Sequence, residues 1–170
     1  MFELKFDQEQ CEAAYNDWGC NCGPSALAAA LGVTLDRAHE LIPEFDSRRY
    51  TSPSMMKDAL QAAEVPMREI TRRRRIEPDA FPEVLPISGL VRIQWTGPWT
   101  DPGANPRWAY RQTHWVASKL WDQHWLVFDC NGGLRSFGSW KDEIAPALSA
   151  SVPRGYGGWF ATHLWELAGN

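Results

Sequence analysis

The segment Asn21-Cys22-Gly23-Pro24-Ser25-Ala26-Leu27 sets a thiol at the start of a helix, where a cysteine can act as a nucleophile. Pro24 suits the first helical position, because its missing N–H has no partner to lose there. The positive end of the helix dipole and the free N–H groups favour an anion, which draws a thiol pKa from about 8.5 towards 3.5–7.5. The same N–H groups can hold the oxyanion formed when a thiolate attacks a carbonyl. Gly23-Pro24 also sharpens the turn and opens the backbone around the sulfur. A nucleophilic thiol needs a base, and the base needs a group that orients it. Of the four histidines, His114 is the best placed, entering a strand in Thr113-His114-Trp115-Val116. His39 is expected on a solvated helix, His163 in the core of the closing strand.

These residues need elements to position them. Leu27, Ala30 and Leu31 share one face of the helix begun by Pro24, and Gly32 can cap its end. Thr34 can cap a second helix over Leu35 to Ile42, and Ser52-Pro53 opens a third with Met56, Leu60 and Ala63 in one stripe. The second half reads as strands. Gly89 to Trp95 sets Val91, Ile93 and Trp95 on one face, with Arg92 and Gln94 on the other. His114 to Leu120 and Trp125 to Asp129 form a hairpin around Asp122-Gln123. Leu134 to Phe137 is a short strand. Ser139 can cap a helix with Trp140 and Ile144 that Pro146 breaks. Trp159 to Leu167 is apolar on both faces, as a central strand should be. Helices first and antiparallel strands afterwards give an α+β fold.

The hairpin allows a geometric test of the base and its orienting group. Pairing Leu120 with Trp125 puts Asn131 opposite His114 and Asp129 opposite Val116. Side chains alternate faces along a strand, so Asp129 and Asn131 both share the face of His114. Either can accept the imidazole N–H and leave the other ring nitrogen for sulfur. A slip of one residue would move His114 to the other face.

Residues 96 to 113 form a Pro/Gly loop with Trp99, Trp108 and Tyr110, leading straight into His114. Such a loop is expected to line or cover the substrate groove, with Trp99 or Trp108 on the acyl side and Trp115 beside the base. Plain packing on the core is the alternative for these rings. The run Arg72 to Arg75 reads as a solvated basic loop. The net charge of −4 argues against a chain that binds nucleic acid over its whole surface. The longest unbroken apolar stretch, Ala26 to Leu31, is far short of the roughly 20 residues of a membrane span. The first residues, Met1 to Lys5, lack the apolar core of a secretory signal. No membrane partner is expected, and a cytoplasmic location is. The four cysteines, at 11, 20, 22 and 130, are then expected as thiols.

Asn-Cys-Gly-Pro-Ser-Ala-Leu, then His-Trp-Val, then Val-Phe-Asp, in that order, resembles the papain-like cysteine peptidases. The similarity is greatest to the double-glycine leader peptidases, which process bacteriocin precursors, and to their stand-alone relatives. That family carries Asp-Cys-Gly-Pro opening a helix, His-Tyr/Trp-Val on a strand and Asp-Pro ending the next strand. The resemblance implies one papain-like domain over residues 1–170. A helical half, about 1–65, would pack on a β-rich half, about 66–170. It implies Cys22 as nucleophile, His114 as general base and acid, and Asp129 as orienting residue. Asn21 replaces the family's Asp, and Cys130 replaces the proline after Asp129, so Asn131 stays open as third member. Asn16 stands where the family carries an oxyanion-hole Gln, and would act there with the Cys22 N–H.

The expected activity is cleavage of a peptide or isopeptide amide through a thioester, on a peptide or protein substrate, without metal or cofactor. Acyl transfer would use the same Cys22-His114-Asp129 site. A degenerate fold kept for binding is a different class, as is a zinc-binding interaction module of Cys11, Cys20 and Cys22 with His114 or Cys130. Structural zinc prefers pairs spaced C-x₂₋₄-C, which C-x-C does not supply.

Overall fold

The computed structural model describes residues 1–109 and 111–168, and the side chains of all these except 72–74 and 106. Five helices come first. They are α1 (Gln8–Trp18), α2 (Cys22–Leu31), α3 (Leu35–Leu41), α4 (Phe45–Arg48) and α5 (Pro53–Ala62). Thr34 and Ser52 cap α3 and α5 through their hydroxyls, as the sequence predicts. Helix α1 is an addition to that reading. Asp7 accepts the Gln10 N–H and the Gln10 side chain accepts the Asp7 N–H, each at 2.9 Å, a capping box that satisfies two of its orphan donors. Gly19, at φ +72°, ends α1 in the left-handed conformation and turns the chain into Cys20-Asn21.

Helix α2 begins at Cys22, two residues earlier than Pro24 suggests, so the thiol is inside the first turn rather than before it. Residues 23–30 are all buried, and four alanines let the neighbouring elements approach closely.

The strands form one open antiparallel sheet in the order β1-β6-β2-β3-β4-β5. They are β1 (Met67–Ile76), β2 (Ser88–Trp95), β3 (Thr113–Trp121), β4 (His124–Asp129), β5 (Gly133–Ser136) and β6 (Trp159–Leu167). The fold is thus α+β. Strand β6 lies between β1 and β2 and is buried along most of its length. Strand β1 corrects the expected basic loop, because the arginine run lies within an edge strand that pairs with β6 at Arg72–His163 and Ile76–Ala161. In the β3–β4 hairpin Leu120 pairs with Trp125 and Ala117 with Phe128, the register predicted from the sequence. Asp122 and Gln123, at φ +47° and +64°, make the two-residue turn that matches strand twist.

Alternate residues feed two cores, one on each face of the sheet. Leu90, Trp115, Ala117, Phe128 and Trp165 join the helices in the first. Val91, Ile93, Val116, Val127 and Leu164 join Phe81 and Trp140 in the second. After β5 the chain is capped by Ser136 rather than Ser139. It runs through a short α turn (Phe137–Ser139), a π-helical stretch (Trp140–Ile144) and a final helix (Ala145–Ser151). Pro146 therefore opens a helix instead of breaking one, since a first-turn N–H needs no partner. No helix among the described residues is long and apolar enough to cross a membrane.

Candidate active site

His114 and Asp129 meet on the second-core face of the sheet. His114 Nε2 lies 3.0 Å from Asp129 Oδ1, and the pair is buried, with Asp129 at 0% exposure. The carboxylate is further held by the Asn131 N–H at 2.9 Å, the Asn131 side-chain amide at 3.3 Å and the Trp140 indole N–H at 2.8 Å. The π-helical stretch begins at Trp140, on the indole's own residue. Trp95 stacks on the imidazole at 5.9 Å between ring centroids. Asn131, left open as an alternative third member, thus binds the carboxylate rather than the ring.

The charges on this pair support one another. Burial alone would hold the Asp129 pKa up, but the His114 charge and hydrogen bond outweigh it and keep the carboxyl below its usual range. Burial alone would lower the His114 pKa. The Asp129 charge and hydrogen bond reverse this and raise it.

The thiols approach β3 where it separates from β4. The ladder between those strands ends at the Ala117–Phe128 pair, and the Trp115 N–H is a donor to Cys22 sulfur. Cys20 and Cys22 sulfurs lie 4.0 Å apart. The turn before α2 thus brings a second thiol, Cys20, beside Cys22. The Cys20 pKa falls to about 7, chiefly through the hydrogen bond from the Cys22 thiol and against the cost of burial. The Cys22 N–H and the His114 charge add to that fall. Cys22, as donor to Cys20 and in buried surroundings, is held well above the usual thiol range. The pair therefore favours thiolate at Cys20 and thiol at Cys22. Among the described residues no hydrogen bond joins either sulfur to the imidazole, whose Nδ1 is the nitrogen not engaged with Asp129.

Both sulfurs line a cavity of about 1030 Å³, which also has Trp115, Trp165, Thr51 and His163 in its wall. Of the three tryptophans expected at the substrate, only Trp115 lines this cavity. Its indole packs on Trp165 at 5.4 Å and donates to the Thr51 carbonyl at 2.9 Å. Trp99 turns back, donating to the Trp95 carbonyl at 2.7 Å and packing on the second core. Trp108 is 62% exposed and is absent from the cavity wall. The loop does reach the cavity, but through Arg107 and Arg111. Tyr110 lies outside the described residues.

Asn16 is exposed on α1 and is likewise not part of the cavity wall. Helix α1 buries Cys11 and Ala14, and a residue two positions beyond Ala14 points away from that face. The backbone donors that reach the sulfurs are instead the Trp115 N–H, to Cys22, and the Cys22 N–H, to Cys20. Of the remaining histidines, His39 stacks on Trp18 at 4.3 Å, half-buried rather than solvated, and His124 is exposed beside the hairpin turn. His163 is buried, yet it belongs to the cavity wall rather than to a closed core.

His114, Asp129 and Cys130 bring three potential metal-ligand atoms within 4.8 Å of one another. His114 Nε2 and Asp129 Oδ1 face each other as a hydrogen-bonded pair, and burial pushes the Cys130 thiol up, so the donor set is that of a proton-holding network. Cys11, on the buried face of α1, belongs to the first core.

Comparison with protein-family profiles and with curated proteins found no match for this chain.

Proposed function

We propose that the chain is a papain-like thiol hydrolase that cleaves an amide bond through a thioester. One observation carries this reading. A buried, hydrogen-bonded His114–Asp129 pair acts electrostatically on Cys20, whose pKa falls to about 7 beside Cys22 and a cavity. Inert buried thiols are neutral at that pH, whereas a nucleophile needs a thiolate and a nearby acid for the leaving group.

In the proposed reaction the thiolate, carried by Cys22 during attack, adds to the amide carbonyl. The oxyanion is held by N–H groups of the first turn of α2. The C–N bond breaks as the His114 imidazolium gives its proton to the leaving amine, and a thioester remains. His114 then takes a proton from water, hydroxide adds to the thioester, and the acid leaves as the C–S bond breaks. Asp129 holds the ring and stabilises its charged form throughout. The lowered Cys20 pKa favours a second reading, in which Cys20 makes the attack and Cys22 supplies a hydrogen bond.

Site-resolved alkylation of the full chain with iodoacetamide across pH 5–9 tests both. The expected result is one fast-labelling sulfur of the pair with an apparent pKa near 7, slowed on the order of tenfold by His114→Ala. Persistence of that labelling in Cys20→Ser assigns Cys22, and persistence only in Cys22→Ser assigns Cys20. Labelling of both no faster than an ordinary thiol, with no response to His114→Ala, overturns the hydrolase.

A further inference from the structure

The chain carries a net charge of −4, yet the cavity beside the two thiols is walled by five cations. Arg48, Arg49 and Lys57 come from α4, its end and α5, and Arg107 and Arg111 come from the loop before β3. Glu69 is the single carboxylate in the wall. Arg48 is engaged with Glu44 and with the Tyr50 hydroxyl. The other four cations make no ion pair among the described residues. A Cβ on Gly19 would lie 3.8 Å from Arg49 Nη1, so that guanidinium sits against the residue preceding Cys20. Segments more than forty positions apart converge to place like charges around one hollow, which costs self-repulsion unless something anionic enters.

An independent observation points the same way. Thr51 Oγ1 and Trp165 Nε1 belong to residues of the same wall that are 5% and 1% exposed, and neither has a hydrogen-bond partner among the described residues. A buried polar group left unpaired costs roughly 1–3 kcal/mol, so such groups are usually satisfied. An indole N–H can only donate and a hydroxyl can donate, as do arginine and lysine. Apart from Glu69, the charged side chains of the wall are therefore all donors, and four of them lack an acidic partner among the described residues. Anionic oxygens are acceptors that carry no proton to compete.

We infer that the acyl donor held in this cavity is anionic, an amide flanked by carboxylate or phosphate groups. The Arg49, Lys57, Arg107 and Arg111 cations take the charged groups, and Trp115 with Trp165 supplies the apolar surface between them. This inference rests on the thiol hydrolase reading for the word acyl, and on the cavity alone for the word anionic. The volume of about 1030 Å³ suits a ligand of several residues and stands at the upper end of small-molecule sites. The chain as a whole carries a net charge of −4 although this hollow is cationic, so a long polyanion reaching past it meets like charge and a short ligand is favoured.

The test compares alkylation of Cys20 and Cys22 by iodoacetate, an anion, with alkylation by neutral iodoacetamide. The iodoacetamide rate reads thiol reactivity, and the ratio of the two rates reads the cavity's potential, so failure of one reading is separable from failure of the other. Relative to free cysteine, the ratio is expected to rise about tenfold or more at about 0.01 M salt. It should approach the free-cysteine value at about 1 M, where the screening length falls from roughly 30 to 3 Å. Arg49→Gln and Arg111→Gln should each lower it. A ratio at or below that of free cysteine at low salt overturns the inference. Protection of the thiols by a glutamate-rich tetrapeptide amide assigns carboxylates, and protection by inorganic phosphate but not by that peptide assigns phosphates. Protection by neither, or equal protection by a lysine-rich tetrapeptide, overturns it.

Discussion

At the scale of single residues, Asp129 has the most to do with the smallest exposure. Its two oxygens accept from His114, Asn131 and Trp140, and every one of these contacts favours the charged form. Asp129→Asn keeps the shape and removes the charge that stabilises imidazolium. It is expected to lower kcat/KM on the order of 10²–10⁴-fold, whereas Asn131→Ala, which removes only one side-chain support of the carboxylate, should cost about tenfold or less. Separate kinetic measurements on the two variants check the order, and a larger loss for Asn131→Ala would move the orienting role to it. The sequence made this pair legible because a two-residue turn at Asp122-Gln123 fixes the register, and register fixes the face. The approach of Cys20 to Cys22 was not legible, for a physical reason. Pro24 marks a residue tolerated anywhere in the first turn, so it does not say which residue opens the helix, and the two-residue error separated Cys20 from Cys22.

At the scale of elements, the site depends on how closely the start of α2 meets the chain before α5. A Cβ on Gly23 would lie 2.0 Å from Thr51 Oγ1 and 2.5 Å from Thr51 Cβ, nearer than atoms can come. Gly23→Ala must therefore push α2 from the Thr51 segment, at an expected cost of about 1–3 kcal/mol, with the sulfurs displaced from β3. Thermal unfolding should show a lower Tm, partly restored in Gly23→Ala/Thr51→Gly, where both Thr51 atoms responsible are gone. A single variant as stable as the parent would mean that the approach is loose. Most other elements were legible from periodicity and caps. Helix α1 carries its own signal in Asp7 and Gln10, but its interior is polar, with only Cys11 and Ala14 buried, so periodicity is faint. Strand β1 is hidden because four arginines in a row carry no alternation, and pairing with β6 rather than propensity makes it a strand. The cationic cavity has no sequence signature, since its arginines and lysine meet only through the tertiary fold.

For the whole molecule, the buried His114–Asp129 pair sets the pH dependence of stability. His114 has a folded pKa raised above its ordinary value near 6.5, so its contribution is complete below that pH and is lost as pH rises through the folded value. Asp129 has a folded pKa below the usual carboxyl value near 3.8, so its contribution is complete above that pH and is lost as pH falls through the folded value. Stability from the pair is thus greatest between about pH 4 and 6.5 and declines on both sides. Denaturant titrations at pH 5 and at pH 9 should show a smaller drop for His114→Gln than for the parent chain. Equal drops would show that the pair contributes nothing to the slope. The sheet that carries this pair is open, and its two outermost strands are unlike. One, β5, has four residues, too few to recruit a neighbour along much length. The other, β1, has ten, and its outer rim of N–H and C=O groups is a template for a strand from another copy. Its ladder with β6 shifts register between Glu69 and Thr71 and again between Arg72 and Ile76. An edge interrupted in this way offers a second copy no continuous run of N–H and C=O groups to pair with. The breaks in register therefore blunt the longer edge, and copies of the chain are expected not to join along it.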